Sequence, residues 1–154
     1  MSDVRVIWDV PNARGDWSLV AGDLERGHEL ETAILVSLFT DRIAHADDVI
    51  PDGTTDRRGW WGDGDPQLAD SPLGSRLWLL DRAKQTEAVR LRARDYIVEA
   101  LQWLIDDGVV ARFDVTTEWT RPGMLGALVV AWDRAGGELA RVATQVWEEI
   151  RRAV

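Results

Sequence analysis

The chain has 154 residues, 45% of them hydrophobic and 29% charged, which fits one globular domain and leaves no room for two large ones. It has no cysteine, so disulfides, thiolate metal sites and cysteine nucleophiles are excluded, and two histidines, His28 and His45, cannot build a zinc site alone. The net charge is −9 and Lys84 is the one lysine among 18 basic residues, so the chain is a poor match for phosphate backbones unless its arginines cluster.

Residues 1–27 read as short strands around turns. Val4, Val6 and Trp8 alternate with Arg5, Ile7 and Asp9, and Trp17-Ser18-Leu19-Val20 forms a second apolar piece. Leu30, Ala33, Ile34 and Leu38 predict a helix over 29–39, with Glu29 and Glu31 in the first turn, where the helix dipole favours acids. From 40 to 75 aspartate, glycine and proline dominate. A stretch of that length without regular structure is usually functional or disordered, and Trp60-Trp61 in its middle favours an ordered arm pinned by that pair.

Ser75-Arg76-Leu77-Trp78-Leu79-Leu80 predicts a short helix. The clearest element runs from Thr86 to Asp107: Val89, Ala93, Tyr96, Ile97, Ala100, Leu101, Leu104 and Ile105 share one face, and Arg92, Asp95, Glu99, Gln102 and Asp106 the other. Thr86 suits the N-cap and Gly108 the position after the helix. Beyond Gly108 the period becomes two, giving a strand from Val109 to Thr117, a turn at Arg121-Pro122-Gly123 and a return strand from Met124 to Trp132. The segment 138–154 fits either a helix or a third strand near 139–144. The outline is one α+β domain, with a long amphipathic helix on a small antiparallel or mixed sheet.

Most chemistries lack their residues. Lys84 sits in Ala83-Lys84-Gln85, so there is no phosphate loop, and no Gly-x-Ser-x-Gly elbow occurs. Calcium loops begun at Asp52 or Asp63 fail, because Arg57 takes the glycine position of the first and Leu68 breaks the second. A glycosidase needs two carboxyls, one in an apolar pocket; Glu99 falls on the polar helix face beside Asp95 and reads as solvated. No catalytic residue, cofactor or metal is expected. The strongest local feature is Asp56-Arg57-Arg58-Gly59-Trp60-Trp61-Gly62-Asp63, since tryptophan and arginine are the side chains enriched at interface hot spots.

These blocks carry a resemblance. Ser37-Leu38-Phe39-Thr40-Asp41-Arg42, Asp56 to Asp63, Gly74-Ser75-Arg76-Leu77-Trp78-Leu79-Leu80 and Ala100-Leu101-Gln102-Trp103-Leu104-Ile105-Asp106-Asp107-Gly108-Val109 together resemble the Mu-type family of small phage baseplate tail proteins. That family is similar to the sheath initiator, a wedge subunit of contractile-tail baseplates. The resemblance implies a sheath-initiator-like single domain over 1–154 with the arm 40–75 inside it, and no enzymatic activity. It also implies a structural role joining wedge proteins to the tube and the start of the sheath, and nucleating sheath assembly. The partners implied are other wedge proteins, sheath and tube or hub proteins, with six copies per baseplate and neither nucleic acid nor membrane. The location implied is the virion tail, after synthesis in the host cytoplasm. Arg42, Arg57, Arg58, Trp60, Trp61 and Arg76 are the expected partner-binding residues. T-even sheath initiators carry a Glu-Pro-Arg triplet after a tryptophan of the long helix; Trp103 is followed by Leu104-Ile105-Asp106-Asp107 instead, so contacts through that triplet do not carry over. The alternative is a tail-associated, lysozyme-like peptidoglycan hydrolase.

Overall fold

The helices expected over 29–39 and 86–107 both form. In the computed structural model, which describes 28–59, 72–81 and 83–146 in full and the backbone of 6–9, 14–17, 19–20, 23–24 and 147–148, α1 spans Glu29–Phe39 and α2 spans Glu87–Asp106. The Thr86 hydroxyl accepts from the Val89 N–H at 3.2 Å, capping α2. Gly108, at φ +75°, ends it, and the N–H groups of Val109 and Val110 both reach back to the Leu104 carbonyl. Between the helices lies the predicted short helix, a 3-10 helix over Arg76–Leu80.

The C-terminal third is an antiparallel meander. Strand β5 (Arg112–Arg121) and β6 (Met124–Trp132) form a hairpin, and β7 (Glu138–Glu148) pairs with the far side of β6, so the order is β5-β6-β7. This resolves the ambiguous segment as strand through residue 148. The registers Val115↔Val129 and Val129↔Val142 align the core-facing positions of all three strands. The strand begins three residues later than its pattern suggested: Val109 is 51% exposed and Val110 only 2%, and regular alternation starts at Phe113. Two short hairpins occupy the N-terminal part, with β1 (Val6–Asp9) pairing β2 (Arg14–Trp17), and β3 (Leu19–Val20) pairing β4 (Asp23–Leu24).

Both helices pack on one face of the sheet. Ile34, Leu38, Ala93, Ile97, Leu101, Leu104, Leu125, Val129 and Ala131 are almost fully buried in one continuous core. Emptying one large site of this kind costs about 2–5 kcal/mol. α2 also grips the backbone of β5. Arg90 donates to the Thr117 carbonyl at 3.0 Å, Thr117 Oγ1 donates to the Arg90 carbonyl at 3.1 Å, and Arg94 donates to the Val115 carbonyl at 3.1 Å. Arginines of the helix thus cover carbonyls of a strand that lies at one edge of the sheet.

Candidate functional site

The arm leaves α1 at Thr40 and is at once tied to the residues before the 3-10 helix. Asp41 and Ser75 form a parallel bridge, with Arg42 N–H on the Ser75 carbonyl at 3.0 Å and Ser75 N–H on the Thr40 carbonyl at 2.9 Å. The approach requires Gly74: its φ is +97°, and a Cβ there would lie 2.2 Å from the Thr40 carbonyl oxygen. Ser75, fully buried, donates to the Leu38 carbonyl at 2.6 Å and caps the 3-10 helix by accepting from the Leu77 N–H. The indole N–H of Trp78 donates to the Arg42 carbonyl at 2.8 Å. Chain geometry and side-chain hydrogen bonds therefore fix the root of the arm together.

The aspartates of the arm shape turns. Asp48 accepts from the His45 N–H at 2.7 Å, Asp52 from the Thr54 N–H at 3.0 Å, and Asp56 from the Arg58 N–H at 2.9 Å. Among the described residues no cluster of His, Cys, Asp or Glu could hold a metal ion. Ala44 and Arg57 close the loop on itself: the Ala44 N–H donates to the Arg57 carbonyl, and the Arg57 guanidinium donates to the Ala44 carbonyl, each at 2.9 Å.

Arginines then clamp the arm to the body. Arg58, with φ +52°, donates to Asp41 at 2.8 Å and stacks over the Trp78 ring at 4.7 Å. Arg42 donates to the carbonyls of Gly74 and Pro72 at 3.0 and 3.2 Å, and lies 3.7 Å from Glu99. Arg76 is the hub. Its Nε and one terminal nitrogen grip both oxygens of Glu99 at 2.9 and 3.0 Å, its other terminal nitrogen reaches both oxygens of Asp48 at 3.0 Å, and its plane covers the Tyr96 ring at 4.7 Å. One guanidinium thereby joins the arm, the 3-10 helix and α2.

The electrostatics follow the geometry. Burial alone would raise the Asp48 carboxyl, but the His45 N–H and the Arg76 guanidinium outweigh it and hold the group below its usual range. Burial would lower Arg76, yet Glu99 and Asp48 raise it further above its ordinary value. Burial pushes the Tyr96 phenol up. A glycosidase acid needs the reverse, a carboxyl raised in an apolar pocket. The arrangement orders a loop.

Four of the six expected partner-binding residues, Arg42, Arg57, Arg58 and Arg76, thus gather around the root of the arm and bind their own chain. Trp60 and Trp61 lie outside the described residues, as does the expectation that they pin the arm. Sequence reasoning missed Asp48 and Trp78 as fastening points and read Glu99 as a solvated acid. Glu99 is only 27% exposed and is held by Arg76. A signal was present, since Glu99 stands one turn after buried Tyr96, at the border between the two faces of α2.

The described structure is thus an α+β domain with a turn-rich arm fastened to its body by arginines. The family profile described as Phage protein GP46 matches residues 30–138, and the chain belongs to that family. It is 46% identical over 125 residues to the Baseplate protein gp46 of Escherichia phage Mu, covering 81% of this chain and 83% of that protein. It is 39% identical over 116 residues to the Mu-like prophage FluMu protein gp46 of Haemophilus influenzae, covering 75% of each. No solved structure matches the chain. No helix among the described residues is long and apolar enough to cross a membrane.

Proposed function

We propose that this chain is a structural, non-enzymatic subunit of a phage or phage-derived contractile-tail baseplate. In this reading it is a sheath-initiator-like wedge protein, present in six copies, that links wedge chains to the tube and starts the sheath. The single observation that carries the reading is the 46% identity with the Mu baseplate protein, spread over four-fifths of the chain. The fold supports it. One edge of the sheet has carbonyls covered by Arg90 and Arg94, whereas β7 pairs only with β6 among the described strands and so offers an outer edge for strand addition.

The arginine-clamped arm is the partner-facing element of this proposal. Arg42 and Arg76, with side chains 11% and 15% exposed, set its shape. Arg58, 39% exposed, together with Arg57, Trp60 and Trp61 supplies the contacts. Deleting the gene from a cell that produces the tails tests the proposal. Tails should then lack polymerised sheath and regain it on complementation; normally sheathed, contractile tails without the protein would refute it.

A further inference from the structure

A groove of about 570 Å³ runs between the outer face of α2 and Pro72-Leu73, just before the bridge that roots the arm. Its wall includes Leu73, Val98 and Trp103, with Asp106 and Asp107 along one end. Val98 is 41% exposed and Trp103 37%, large apolar surface left in water on the long helix. Trp103 is nonetheless fixed in place, because its indole N–H donates to Ser37 Oγ at 3.0 Å, and that hydroxyl is bonded in turn to the Ala33 carbonyl. A rigid, half-exposed tryptophan is the kind of surface that anchors a partner without ordering cost.

The charge along the groove selects the occupant. A helix C-terminus carries a partial negative charge and normally gathers basic side chains. The last turn of α2 has none; it ends instead in Asp106 and the C-cap Asp107. Gln102 gives Asp106 a neutral hydrogen bond at 3.0 Å, and among the described residues no ion pair reaches Asp106 or Asp107. Arg42, a basic residue of the groove wall, is held by the Gly74 and Pro72 carbonyls and lies 3.7 Å from Glu99. A second copy of this chain, with net charge −9, would bring acid toward acid. The groove is open along one side, so a small molecule would stay largely wet, whereas a chain segment could lie along it.

We propose that this groove docks a segment of a different baseplate chain, one that seats an apolar side chain against Val98 and Trp103 and sets a lysine or arginine against Asp106 and Asp107. The proposal rests on the baseplate reading and names the chemistry of one of its partners. The experiment places the photo-crosslinker p-benzoylphenylalanine at Val98, and separately at Gln102, in tails assembled in cells that lack the native gene. Irradiated particles should yield a cross-link to another tail protein, in an apolar stretch flanked by lysine or arginine. Combining the crosslinker with Asp106→Lys and Asp107→Lys should cut that yield at least about tenfold while the free protein unfolds at its usual temperature. Cross-links only within this chain or to a second copy would overturn the proposal. So would an acidic or uncharged target, indifference to charge reversal, or no cross-link at either position in particles that contain the protein. Absence of the unmodified chain from wild-type particles would instead refute the baseplate reading itself, and this inference with it.

Discussion

Arg76→Met is the perturbation that probes the arm most sharply. The substitution keeps much of the apolar stem and removes four charge-assisted hydrogen bonds, two to Glu99 and two to Asp48, together with the stacking on Tyr96. The side chains of Arg76, Asp48 and Glu99 are 15%, 13% and 27% exposed, so water recovers only part of what is lost. Removing one partner of a buried ion pair costs about 3–5 kcal/mol. Arg42, 3.7 Å from Glu99, softens that figure, which leaves an expected loss of about 2–4 kcal/mol. For a domain of this size that lowers the thermal midpoint by about 5–15 °C. Urea unfolding monitored by tryptophan fluorescence measures it, and the companion Glu99→Gln and the double variant complete a cycle. The double variant should be less destabilised than the sum of the singles, because removing both charges leaves fewer unpaired groups. A loss below about 1 kcal/mol for Arg76→Met, or strict additivity, would refute the hub.

Three further outcomes are expected. Asp48 has its folded-state pKa depressed below an unfolded value near 3.9, so its contribution is complete above that value and fades as the pH falls through the folded one. The stability gap between wild type and Asp48→Asn should therefore close below about pH 4; a gap unchanged from pH 7 to 2 would contradict the clamp. Gly74→Ala should cost more than about 2 kcal/mol, since its Cβ meets backbone of Thr40. Gly53→Ala, with positive φ but open space, should cost about 1 kcal/mol, and equal midpoints for the two would remove the argument from close approach. Of Trp60→Ala and Trp61→Ala, one should lose about 3–5 kcal/mol as large core truncations do. The other should fold normally and enter baseplates poorly; parental behaviour of both would mean that the pair is neither core nor interface.

Much of the fold was legible because local signals agreed. The bounds of α1 and α2 follow from apolar periodicity, and for α2 also from Thr86 at one end and Gly108 at the other. The turn at Pro122-Gly123 sits where the hairpin reverses. What local pattern could not decide was β7. Leu139, Val142, Ala143 and Val146 satisfy a helical period, yet β6 is apolar on both faces along its whole length and needs a neighbour on each side. Sheet pairing overrode the helical pattern. The arm was legible as an ordered loop rich in aspartate and glycine, but not as one fastened by arginines. Arg76 and Glu99 are 23 positions apart and Arg76 and Asp48 are 28, and no spacing rule links residues so distant. Arg42 and Arg76, two of the arginines expected to meet partners, hold the arm to the body.

Quantitative mass spectrometry of purified, intact tails tests the central claim most directly. The account predicts that this chain is present in a fixed ratio to the other baseplate chains, equal to one copy per wedge, and that it stays with the baseplate when the sheath contracts. A protein missing from washed particles, or present in amounts that vary from one preparation to the next, would contradict it.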